Sequence, residues 1–385
     1  MVRWLLCPVL YFVCALASPH AEPPVLSGHP LFRTYGPLQG LPDLGVMRLA
    51  QDRAGFVWVA TENGLYRYDG HRFEVFGLRD GLQSISITSL YEDAAGTLWV
   101  GTRAGLHRRA GDRFVAVRID GGGTFDVVDV SGDANGLYVA TTVGAYRLAA
   151  GDALRPMPGW PGGGATAVFR DPRTARTWFA RWTDRAEIHV EHADRWSIAT
   201  IPALADGGRI GGIVGDAQGR VWMRQGSPTT VGLAVADADG TRFAPVALPP
   251  DLRARVATGF GYMLAGRRGD VWVPVDNGLL HHDGGHWRFL DIAKSLRTAW
   301  TRAVLEDREG SLWIGSNGLH RMLRNGVFTA YTAAEGYVGD VAWALRRDRE
   351  RRLWIAGTGL TQFRATDLRT VPGTDGHYLR SIAED

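Results

Sequence analysis

Histidines, carboxylates and cysteines are the side chains that could carry chemistry here, and their spacing argues against most of it. Histidine clusters occur at His189-Val-Glu-His192 and at His281-His282. On an extended strand His189 and His192 point to opposite faces, and zinc would need further ligands, so no metal site is expected. Both cysteines, Cys7 and Cys14, lie near the amino terminus. Lys294 is the sole lysine and follows no glycine-rich loop, which argues against a phosphate-cradling nucleotide site. No Gly-x-Ser-x-Gly elbow is present. The regularly placed carboxylates recur in one type of turn, so they read as turn acceptors. No catalytic residue and no cofactor is therefore expected.

Recognition chemistry is better represented. Arg103, Trp160, Arg181, Trp182, Tyr262, Trp300 and Arg302 fall in loops at strand ends. Aromatic rings there could stack on sugars, and guanidinium groups could pair with carboxylates. Trp182, Trp300 and Arg302 also break the repeat pattern described below. Asn63, Asn277 and Asn317 each precede glycine and read as turn residues. The net charge of +3 is too small to argue for nucleic acid. Arg346, Arg347, Arg349, Arg351 and Arg352 alternate with acidic residues, which suits a solvated turn.

The amino terminus reads as an export signal. A short basic start, an apolar run from Leu5 to Leu16 and Ala15-Leu16-Ala17 give residues 1–21 the layout of a Sec signal peptide. The apolar run is short for a membrane-spanning helix. The mature chain would lack cysteine, so packing alone must hold it together. A periplasmic location follows.

The elements that position these residues come from an internal repeat of about forty residues. Asp52-x-x-Gly55-x-x-Trp58 recurs as Asp93-x-x-Gly96-x-x-Trp99, Asp216-x-x-Gly219-x-x-Trp222 and Asp307-x-x-Gly310-x-x-Trp313, with Tyr138, Trp178, Trp272 and Trp354 anchoring weaker copies. The wider gap after Trp222 reads as a loop insertion at Gln225 to Val231. Each copy holds short alternating segments between turn signals, the pattern of four strands. The anchor strand is apolar throughout, so both its faces must be covered. Two residues after the anchor stand Ala60, Gly101, Ala140, Ala180, Gly315 and Ala356, with Arg224 and Pro274 as exceptions. Small residues there let neighbouring sheets approach.

The fold class expected is all-β: a β-propeller of four-stranded blades, seven-bladed, with the start of a second propeller. Phe32-Arg-Thr-Tyr35 resembles the end of a unit, so it can supply the outer strand of the last blade. The domains then run as residues 28–335 for the first ring and 336–385 for one blade and the start of the next, with Tyr378 to Asp385 as a ninth first strand.

Units of the form Asp-x-x-Gly-x-Leu-Trp-Val-Gly-Thr-x-x-Gly-Leu-x-Arg resemble the two-component regulator propeller repeats. Val46 to Phe76 and Thr88 to Phe114 match almost throughout, and Val304 to Phe328 matches well; the third to fifth units are degenerate. The resemblance implies two consecutive periplasmic propellers, a membrane helix and a cytoplasmic histidine kinase or diguanylate cyclase beyond Asp385. It implies a small-molecule or oligosaccharide ligand, a homodimer in the full-length protein, and membrane attachment only through a downstream segment. Two alternatives remain: a secreted lyase resembling streptogramin lyase, and a propeller that docks another protein. Sialidases place glycine differently in their Asp turn, and quinoprotein dehydrogenases carry other tryptophan signatures.

Overall fold

The computed structural model describes residues 29–149, 153–183, 185–202, 208–226, 231–255, 261–292, 296, 300–322, 329–331, 336, 337, 339, 341–364 and 368–385. The expected signal peptide, residues 1–21, lies outside them. Pro30–Phe328 forms one compact unit, and His29 with the described residues of Thr329–Asp385 belongs to another.

Five of the repeats are built on an aspartate. Asp52 Oδ1 accepts the Phe56 N–H at 3.0 Å, which closes the turn, and Gly55 supplies the positive φ of 94° that the turn requires. The second oxygen accepts the Trp58 indole N–H at 2.7 Å. The same bond joins Asp93 to Trp99, Asp216 to Trp222, Asp307 to Trp313 and Asp348 to Trp354, each at 2.8 Å. The turn therefore also orients the large ring that follows six residues later. A buried indole N–H needs such a partner.

The anchor strands Val57–Thr61, Leu98–Thr102, Val271–Val275 and Leu312–Ser316 are buried at every position. In Pro30–Phe328 they belong to a succession of seven antiparallel sheets among the described residues. Six of them are built on a meander of four consecutive strands, as in Val46–Gln51, Val57–Thr61, Gly64–Tyr68 and Phe73–Phe76, and the seventh takes its outer strand from Phe32–Tyr35. The sheet of Val127–Asp133 gains a fifth strand, Arg118–Ile119, which pairs in parallel with Ala153–Pro156.

The cores lie between sheets. Trp58 packs with Leu98, Val100 and Phe114 of the second sheet, and Trp99 with Leu137 and Val139 of the third. Tyr138 packs with Phe179, Trp178 with Val221 and Met223, Trp222 with Val271 and Val273, and Trp272 with Leu312 and Ile314. Trp313 completes the cycle by packing with Val57, Val59 and Tyr68 of the first sheet. The seam is closed as the sequence predicts. Phe32–Tyr35 pairs antiparallel with Gly318–Met322, with Phe32 opposite Met322 and Tyr35 opposite Leu319. The Tyr35 and Trp313 rings stack at 5.5 Å.

The small residues are where sheets meet most closely. A Cβ added to Gly101 would lie 2.6 Å from Val127 Cγ1, and one on Gly315 would lie 2.5 Å from Val46 Cγ1. The insertion after Trp222 is more spread out than the sequence suggests. Residues 227–230 lie outside the described ones, and further length goes into a short helix, Pro250–Arg255, between this sheet and the next. Helix there lengthens a connection without disturbing the sheet ladder.

The second unit holds one four-stranded sheet, Ala342–Arg347, Leu353–Gly357, Gly359–Phe363 and Leu368–Thr370. Its first strand leaves Trp343 52% and Leu345 66% exposed. The expected ninth first strand at Tyr378 to Asp385 is not formed beyond a single bridge from Tyr378 to Thr358.

Candidate functional site

The first strands of successive sheets pack against one another in Pro30–Phe328, from Ala303–Glu306 against Val46–Gln51 round to Arg209–Gly215 against Leu264–Ala265. Five of them carry a β-bulge at the same place, between Val46 and Arg48, Ile87 and Ser89, Val127 and Asp129, Ala165 and Ala167, and Ile210 and Gly212. A bulge re-aims one residue per strand. Four of those extra residues, Met47, Val128, Thr166 and Gly211, line a cavity of about 820 Å³. Arg302, which precedes Ala303 and bonds through its N–H to the Gly315 carbonyl at 2.9 Å, holds the equivalent place in the last sheet and lines it too. Trp182, Arg209, Arg224 and Tyr262 also line it.

Three of the seven expected ligand residues, Trp182, Tyr262 and Arg302, thus share one cavity. Trp300 borders a smaller adjoining cavity of about 200 Å³ with Asp276, Thr301 and Arg302. The other three are placed elsewhere. Arg103 is exposed and donates to Ser86 Oγ at 3.2 Å, with Asp126 at 3.9 Å. Trp160 donates to the Gly163 carbonyl at 2.9 Å and packs against Phe179, His189 and Trp196. Arg181 pairs with Glu187 at 3.1 Å. A hydrogen bond from His189, then those from Arg185 and Arg181, hold the Glu187 carboxyl below its usual range despite burial. That knot ties strands together.

Arg224 is the cavity residue that loop position does not identify. It stands on the anchor strand Val221–Gly226, opposite Gly212, and is 3% exposed. Its Nη1 donates to the Gly261 carbonyl at 2.8 Å. Its Nε and Nη2 are buried without a hydrogen-bond partner. Burial lowers the guanidinium to about 10, which still leaves it charged at neutral pH. Burial raises the Asp276 carboxyl, and the nearby Arg224 charge opposes that rise. The sequence signal was the break in the small-residue rule: Arg224 occupies the place of Ala180 and Gly315.

Arg48 was also missed. It is buried, donates to the Thr88 carbonyl at 3.0 Å, sits 3.6 Å from Asp129 and places its guanidinium over the Tyr262 ring. Asp129 accepts the Val168 N–H at 3.1 Å; burial pushes its carboxyl up and Arg48 opposes this. Arg302 faces Glu62 at 3.7 Å and Met47 Sδ at 3.1 Å. Arg209 lies 5.7 Å from the Trp182 ring centre. Among the described residues, no group of three or more His, Cys, Asp and Glu side chains could hold a metal ion.

The decisive comparison is with the family model for the two component regulator propeller, which matches residues 40–63, 81–104 and 295–318. The chain carries two component regulator propeller repeats. Its fold is similar to that of a B. thetaiotaomicron extracellular domain assigned to the hybrid two component system BT3049, with a TM-score of 0.70 and 19% identity over 89% of this chain and 49% of that one. An extracellular domain from BT4673 of the same organism gives 0.60 and 17% over 90% and 48%. A streptogramin B lyase gives 0.61 and 12% over 78% of this chain and 99% of that one. A curated sequence relative, histidine kinase P4 of Formosa agariphila, is 38% identical over 45 residues, 12% of this chain and 3% of that protein. The chain thus spans about half the length of the two extracellular domains and a small part of the kinase. Among the described residues, no helix is long and apolar enough to cross a membrane.

Proposed function

We propose that this chain is the periplasmic ligand-sensing region of a transmembrane signalling protein, without catalysis of its own, its ligand a small molecule or oligosaccharide held in the central cavity. The observation that carries this reading is the cavity, where bulged inner strands gather Trp182, Tyr262, Arg224 and Arg302 in a propeller related in fold to sensor extracellular domains. Pockets of this size with a few convergent polar groups suit small ligands. The uncovered apolar strand at Trp343 and Leu345 supports the view that residues 336–385 begin a second propeller, whose next sheet would cover it. The output module, a kinase or a diguanylate cyclase, would then follow a membrane helix downstream, and dimerised propellers would transmit ligand binding.

The test is signalling by the full-length protein. Tyr262→Ala combined with Trp182→Ala is expected to abolish a ligand-dependent output while leaving export and expression intact. Unchanged ligand response in that variant would remove the cavity from the mechanism. A lyase is the second reading, favoured by the likeness to a complete streptogramin lyase chain. Cleavage of a streptogramin or a uronic substrate by the purified chain would establish it in place of sensing. Docking of a protein gains if no small molecule in a broad thermal screen stabilises the chain.

A further inference from the structure

Arg224 presents one edge of its guanidinium, Nε and Nη2, with no partner, while Nη1 is fixed on the Gly261 carbonyl. That edge is a side-on fork of two parallel donors, the geometry that binds the two oxygens of an oxyanion. The side chain is 3% exposed and lines the cavity, and its two unpaired donors are covered in the empty protein. Arg209 and Arg302 line the same cavity, and no carboxylate does among the described residues. Of the nearest acids, Asp129 faces Arg48, Glu62 faces Arg302, and Asp276, which borders the adjoining cavity, is the one whose charge acts on Arg224. Trp182 and Tyr262 add aromatic surface on which the apolar face of a sugar ring can rest.

We infer that the central cavity takes an acidic saccharide, its oxyanion group forked by Arg224 and its ring resting on Trp182 and Tyr262. The inference rests on the sensing reading and names its ligand class. Carboxylate, phosphate and sulfate share the required chemistry. A buried cation with only the half-buried Asp276 carboxylate acting on it costs stability in the empty protein, and an arriving anion relieves that cost. A neutral sugar cannot.

The test measures thermal midpoints and calorimetric affinity of the whole chain with glucuronate, glucose 6-phosphate, glucose 6-sulfate and glucose. At least one anion is expected to bind at least about tenfold more tightly than glucose, and which one identifies the acidic group. Arg224→Met is expected to lose that preference and to raise the midpoint of the empty protein. Arg224→Lys, which keeps the charge but not the fork, is expected to fold and to lose most of the affinity. The inference fails if no anion outbinds glucose, if Arg224→Lys binds the anion as tightly as the native chain, or if Arg224→Met lowers the empty midpoint, which would make Arg224 a structural post. A neutral ligand found in the cavity would overturn the acidic class yet leave sensing in place, whereas a full-length protein whose output ignores the cavity would overturn the sensing reading itself.

Discussion

Asp307 shows how much a single side chain carries in this fold. It is 1% exposed, accepts the Ser311 N–H at 2.6 Å and the Trp313 indole at 2.8 Å, and lies 3.2 Å from Arg321. Asp307→Ala leaves two buried donors unmet and is expected to cost about 2–4 kcal/mol, measured by denaturant unfolding. Asp93→Ala, in a more open turn, should cost less. His320 supplies a pH signature. Its ring nitrogens lie 3.0 Å from Thr34 Oγ1 and 2.9 Å from Ser316 Oγ, and burial pushes it down to about 4. The folded state thus binds its proton less readily than the unfolded state, whose histidine titrates near 6.5. Stability from this group is complete above pH 6.5 and falls as pH drops toward 4, by up to about 3 kcal/mol. His320→Gln should flatten that slope, and unfolding midpoints taken across this range check it. His107 and His282 are lowered in the same direction by burial, so part of the slope will persist. At this scale the sequence was half legible. Recurrence exposed the aspartates and indoles, whereas the tie between them is a matter of side-chain reach. Trp182 and Arg302 were found as departures from a pattern and Tyr262 by its loop position; Arg103, Trp160 and Arg181 looked similar but fold into local pairs.

Among the elements, the anchor strand was the easiest to read and the inner strand the hardest. Continuous apolarity located Val57–Thr61 and its counterparts, since a strand covered on both faces leaves little room for polar residues. The bulges on the inner strands leave no such mark, because a bulge is a property of pairing between two strands. That is why Met47 and Arg48, adjacent in sequence, have such different surroundings. Close sheet contact gives the element-scale prediction. Gly101→Val would drive branched carbon into Val127 and Ser89, and is expected to cost about 1–3 kcal/mol by overpacking without altering the neighbouring sheets' secondary structure. Circular dichroism with thermal unfolding checks both halves. Gly55→Val, at an exposed turn with nothing within 4 Å, would act through its positive φ and not through crowding.

For the molecule as a whole, each anchor ring packs against the next sheet, and the last packs against the first. This circular dependence makes the amino-terminal strand Phe32–Tyr35 essential out of proportion to its length. Removing residues 1–36 is expected to broaden the unfolding transition of Pro30–Phe328 and lower its midpoint, as read by tryptophan fluorescence and calorimetry together. The seam was legible because Phe32 to Tyr35 copies the end of a repeat. What the cavity holds was not, because ligand chemistry depends on which side chains the bulges bring together.

The seam also dictates an order of events. Thr34 meets His320 across 286 positions of chain. The strand Phe32–Tyr35 must therefore wait, unpaired, until the ribosome has delivered Gly318–Met322. Loop closure over such a span is slow, and the waiting edge is open to wrong partners. A chain threaded through the export channel before it folds would cross with that edge still unclaimed, and could then complete the circle in one step on the far side.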